Sequence, residues 1–127
     1  MDIVTKSQLN ILIQLAQVDK HFSKEEREMI LGIARSNSFP EETVHSLIQN
    51  PQPISSLGAL STSKKFEYLI SCIHLIFADK KVFDSEIRFC QNIAIKLGFN
   101  KNVVGFLVQN HEKGIESLKS RVFAEYA

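Results

Sequence analysis

The residues of this chain best suited to chemistry are two pairs of carboxylates, Asp19 with Glu26 and Asp79 with Glu86. Leu9, Leu12, Ile13 and Ala16 form the apolar stripe of a helix, and three further residues bring that stripe to Asp19. The next stripe, Met29, Ile30 and Ile33, runs backward onto Glu26. The same spacing puts Asp79 after Leu69, Cys72, Ile73 and Ile76, and Glu86 before Phe89, Cys90 and Ile93. Each corner therefore turns two carboxylates toward the core side of a helix–loop–helix. A carboxylate in such a place requires a hydrogen-bond donor, a cation or a proton. Asp19 and Asp79 also fall where a helix ends, and negative charge there opposes the helix dipole. Lys20 and Lys80 follow directly and offset part of that cost.

Two chemistries fit this pattern. In one the acids are structural: Ser23-Lys24-Glu25-Glu26 has the spacing of a capping box, Asp19 accepts loop amides, and Asp84 caps the helix that contains Glu86. In the other, each corner is a weak divalent-cation site. Asp19, Glu25 and Glu26 at one corner, and Asp79, Asp84 and Glu86 at the other, would supply the hard oxygens that Ca²⁺ or Mg²⁺ takes. The basic neighbours Lys20, His21, Lys80 and Lys81 imply low affinity. Neither loop is an EF-hand: the twelfth position counted from Asp19 or Asp79 is Ile30 or Cys90 instead of glutamate, and the central glycine is missing.

Other chemistry has less to stand on. His74 lies in the most apolar helical stretch and reads as a core histidine. Cys72 and Cys90 occupy apolar positions and read as reduced core residues, with no CxxC or Cys/His spacing for a metal. His21, His45 and His111 are scattered, and the five glycines stand singly, so no phosphate loop is present. No activated nucleophile or acid–base pair stands out, and a non-enzyme is expected.

The elements that must position the corners are duplicated. Residues 9–50 return as residues 69–110 at a constant offset of 60, with 13 identities in 42 positions. These include Asp19-Lys20, Glu26, Ile33-Ala34, Phe39, Val44, Leu47 and Gln49-Asn50. The first copy reads as a helix over Leu9–Val18, a second helix from Ser23 to about Ser36, and a short third from Pro40 to Asn50. Residues 51–62 form a linker whose Leu57–Leu60 could add one helical turn. Thr62 or Ser63 should cap the central helix, Lys64–Ala78. Further helices are expected over Asp84–Leu97, closed by Gly98, from Asn100 onward, and over 112–126. No stretch alternates like a strand. The expectation is a single all-α domain over 1–127, with seven or eight helices, two repeats related by a pseudo-twofold axis, and Leu9–Val18 with Phe66–Ala78 as the central buried pair.

A chain of 127 residues can bury a core without disulfides. Its net charge of +1 gives no basic field for nucleic acid. The longest apolar run, Leu69–Ala78, is about half of what a membrane span needs. Met1-Asp2-Ile3 lacks a secretion-signal pattern, so a cytoplasmic location is expected.

Phe77-Ala78-Asp79-Lys80-Lys81-Val82-Phe83-Asp84-Ser85-Glu86, with Ala16-Gln17-Val18-Asp19 through Phe22 and Glu26 as a looser copy, resembles the TerB family of tellurite-resistance proteins. The amino-terminal domain of the membrane J-protein DjlA carries the same pattern, roughly ADG-x-hydrophobic-x-x-x-E in a duplicated helical domain. The resemblance implies a compact helical module tied to metal or chemical stress that acts by binding. It carries the acidic positions over to Asp19, Glu26, Asp79 and Glu86, while Lys20 and Lys80 stand where the family usually has glycine. The leading expectation is a TerB-like binding module with protein partners, a second copy of the chain among them, and Ca²⁺ or Mg²⁺ as the candidate cofactor. The alternative is an interaction adaptor whose corners only cap helices.

Overall fold

Serine caps and left-handed turns set several of the helix ends. The computed structural model describes residues 3–20, 22–54, 56–79 and 81–127. His21 and Lys80, two of the basic neighbours invoked above, lie outside the described residues, as do Met1, Asp2 and the linker's Ser55. Among the described residues there are seven helices and no strand, in one domain: α1 (Ile3–Gln17), α2 (Lys24–Ser36), α3 (Glu41–Gln49), α4 (Thr62–Ile76), α5 (Asp84–Lys96), α6 (Val103–Asn110) and α7 (Ile115–Glu125).

The two longest helices form the centre. α1 and α4 pack on each other, and each also packs on the two helices that follow it. Leu9, Leu12, Ile13, Leu69, Ile73 and Ile76 are all fully buried. Each such side chain contributes about 1.5–3 kcal/mol by leaving water, which makes this pair the main source of stability. α1 begins two turns before the expected Leu9, because its early positions are polar residues with built-in partners. Gln8 donates to Ser71 Oγ at 3.2 Å, and the Tyr68 hydroxyl donates to the Val4 carbonyl. Further along, Asn10 exchanges two 2.9 Å bonds with the backbone of Gln52, and Gln17 donates to the Ile48 carbonyl. An inward polar row on α1 thus ties the linker and the end of α3 to the central helix.

The ends of α2 and α5 match at an offset of 60. Phe39 N–H donates to Ala34 O at 2.8 Å, and Phe99 N–H to Ala94 O at 2.9 Å. Ser38 and Gly98 supply the left-handed residue of each turn, at φ 54° and 93°. This is the Schellman stop, and it delivers a buried phenylalanine to the core on each side.

Several element limits differ from the spacing argument. Ser61, one residue earlier than expected, caps α4 by accepting the Lys64 N–H at 3.2 Å; three hydroxyl residues in a row all had cap chemistry. α6 starts at Val103, since Asn100 Oδ1 accepts the Asn102 N–H and makes a turn there. Leu57–Leu60 is one hydrogen-bonded turn and not a helix.

Candidate functional site

The corner between α1 and α2 is built by a complete capping box. Ser23 N–H donates to Glu26 Oε1 at 2.9 Å, and Glu26 N–H donates back to Ser23 Oγ at 3.1 Å. The corner between α4 and α5 keeps half of it: Phe83 N–H donates to Glu86 Oε1 at 3.0 Å, and phenylalanine has no oxygen to return the bond. Asp84, expected as the cap, is the first residue of the helix instead, and it is exposed. Glu25 is exposed as well.

Both glutamates end up inside the protein, 0% exposed for Glu26 and 1% for Glu86. Glu26 Oε2 is fully buried and has no hydrogen-bond partner among the described residues. The aspartates, expected on the core side of each corner, are half-buried. Asp79 Oδ1 accepts the Lys81 N–H at 3.1 Å, an Asx turn that keeps the side chain at the loop surface. After Asp19, Lys20 adopts φ 63°, the left-handed conformation that glycine takes most easily.

The electrostatics join the two corners. Burial raises Glu86 to a pKa of about 7; the Phe83 N–H opposes that rise, and the charges of Asp19, Glu26 and Asp79 add to it. Glu26 is also raised, chiefly by burial and further by Asp79 and Asp19, while its bonds to Ser23 pull the other way. Each glutamate therefore feels an aspartate of the opposite corner. The sequence pointed to one pair at each corner; the folded chain brings both pairs into one field. Among the described residues, no lysine or arginine forms an ion pair with Glu26, Glu86 or Asp79. Arg27, one residue from Glu26, lies over the Phe22 ring at 4.8 Å.

The donors are hard oxygens, which suits Mg²⁺ or Ca²⁺ in kind. Among the described residues, however, no three His, Cys, Asp or Glu side chains are gathered so that they could hold a metal ion.

The remaining candidates sit elsewhere. A shallow groove of about 460 Å³ is lined by Gln8, Met29, Ile33, Ser71, His74 and Ile115, among others. His74 is half-buried at its wall, its pKa lowered by burial and then by His111. The Ser71 hydroxyl donates to Tyr68 O at 2.8 Å, so it is not aligned on His74 as a nucleophile. Cys72 and Cys90 are free and buried, as expected. The Cys72 thiol and then burial hold Cys90 well above its ordinary pKa, the reverse of what a reactive thiolate needs. No described helix is long and apolar enough to cross a membrane. Comparison with protein-family models, curated proteins and solved structures finds no match.

Proposed function

We propose that this chain is a non-enzymatic, TerB-like binding module whose two corners form one acidic centre for a hydrated divalent cation. The observation that carries this reading is the burial of Glu26 and Glu86 in the electrostatic field of two further carboxylates. An arrangement that raises carboxylate pKa values disfavours the charged folded state, and a purely structural corner gains nothing from it. Functional sites are where such costs are retained. The two halves are read as copies about a pseudo-twofold axis. In support, equivalent helices, Schellman turns and glutamate caps recur at an offset of 60. A role in metal or chemical stress in the bacterial cytoplasm rests on the resemblance alone.

The second reading, an adaptor in which nothing but the protein itself uses the corners, is favoured by the absence of a chelating trio among the described residues. Amide NMR separates the two readings. With Mg²⁺ or Ca²⁺ in the millimolar range, residues 18–26 and 79–86 should shift together on one isotherm, and the melting temperature should rise. Asp19→Asn/Asp79→Asn should abolish both effects. An absence of shifts at both corners in wild type would leave the adaptor reading standing and remove the cation.

A further inference from the structure

The first turns of α1 carry a face that the acidic corners do not use. Ile3, Lys6, Ser7 and Asn10 have the i, i+3, i+4, i+7 spacing of one helical stripe, and all four line a cavity of about 240 Å³ closed on its far side by Leu47 and Ile54. That far wall is fixed, because Asn10 and Gln14 hold the backbone of Gln52. Two more cavities adjoin it. One of about 300 Å³ shares Lys6 and Leu47 and reaches the polar side chains of Thr43, Ser46 and Asn50. The other, of about 260 Å³, shares Ile3 and Ser7 and is walled mainly by apolar residues, Val4, Leu57 and Leu60 among them. Among the described residues, Lys6 is the one charged side chain lining any of the three, and it forms no ion pair. Of the acids flanking these walls in the chain, Glu41 is paired with Arg35, Glu42 is exposed, and Asp2 lies outside the described residues.

The other half of the chain shows this face filled. At the offset of 60, Ile3, Lys6 and Ser46 correspond to Ser63, Phe66 and Phe106, and α7 lies on all three. Lys119 donates to Ser63 Oγ at 3.2 Å, the Phe123 and Phe66 rings are 6.4 Å apart, and Arg121 stands 4.7 Å over the Phe106 ring. In the first half the linker follows α3 where α7 follows α6. The linker is not a helix, and the cavities it leaves are each smaller than the roughly 400 Å³ that one turn of a helix about 10 Å across fills. They suit a narrow chain, and Lys6 selects the sign of its head group. We propose that this track binds a single-chain aliphatic carboxylate, a fatty acid, with its carboxylate at Lys6 and its alkyl chain running past Ile3 toward Leu57 and Leu60. A compact inorganic anion would leave the apolar end unused, and an uncharged hydrocarbon would cover Lys6 without a counter-charge.

Octanoate is the probe, with acetate as the head without the tail and octan-1-ol as the tail without the charge. Each is titrated into the full chain at pH 7 and followed by amide NMR, beside vesicles of phosphatidylglycerol. Octanoate should shift residues 3–10, 43–54 and 57–60. It should bind at least about ten times more tightly than acetate, since each buried methylene adds affinity, and about ten times more tightly than octan-1-ol. Lys6→Gln should remove the advantage over octan-1-ol, and Lys6→Arg should restore most of it. Ile3→Ser, at a side chain 81% exposed, should weaken octanoate and octan-1-ol together without disturbing the fold. Asp2→Asn should bind octanoate at least as well as wild type. Equal binding of octanoate and acetate, undiminished octanoate binding by Lys6→Gln, shifts confined to the groove of Met29 and Ile115, or binding to the vesicles alone would each overturn the proposal.

Discussion

At the first corner Glu26 is held by the backbone and the hydroxyl of Ser23, and the guanidinium of Arg27 covers Phe22. At the second, Glu86 accepts the Phe83 N–H and, among the described residues, no hydroxyl, and Val82 and Phe83 are exposed. The same buried glutamate thus appears with and without the serine that makes it a cap. Its retention at the corner lacking a capping oxygen argues that burial of the carboxylate, and not the cap alone, is what the two corners share. The difference also tunes the acids. Glu26 gains two opposing bonds from Ser23, whereas Glu86 has one and lies at about 7. The second corner is the proton-holding and more open side of the centre.

The largest expected effect follows from that asymmetry. Glu86 binds its proton more tightly folded, at about 7, than at its ordinary 4.5. Its contribution is therefore fully favourable below about pH 4.5, is lost as pH rises toward 7, and stays lost above. Glu86→Gln keeps an acceptor for Phe83 N–H and removes the charge. It should stabilise the protein by as much as ~3 kcal/mol at pH 8 and have little effect at pH 4, by urea unfolding at both values. Glu26→Gln should stabilise at pH 8 as well, but by less, because Ser23 already supports the charge. An equal or larger gain there would break the comparison.

Smaller effects sharpen it. Ser23→Ala should cost about 1 kcal/mol, the usual loss for a cap, while Phe83→Ser should complete the second box and gain somewhat less than that. Thermal unfolding of the two variants should show opposite signs. Gly98→Ala should likewise lose about 1 kcal/mol at a position where glycine already serves, and least of all, Lys20→Gly should gain about 0.5 kcal/mol by relieving the left-handed residue.

Much of this was readable in the sequence, and the remainder was hidden for identifiable reasons. The stripes through Leu12–Ile13 and Ile73–Ile76 located the central helices, and running them onward reached Glu26 and Glu86 at their buried positions. Ser23 and Gly98 declared their caps. Helical period could not reveal the first two turns of α1, because Thr5, Gln8 and Asn10 are buried polar residues whose partners are distant in the chain. Phe83 carries no capping signal, so Asp84 looked the better cap. Above all, spacing within one helix–loop–helix says nothing about which way the other faces. The influence of Asp19 on Glu86 depends on how the helices of the two halves pack, and no local motif records that.

The claim that the corners form one centre is tested most directly by following the side-chain carboxyl carbons of Glu26 and Glu86 by NMR from pH 3 to 9, in wild type and in Asp19→Asn. The account predicts that Glu86 titrates near 7 and that Asp19→Asn, on the opposite corner, lowers its midpoint. A Glu86 midpoint near 4.5, or one that the loss of Asp19 leaves unmoved, would contradict it.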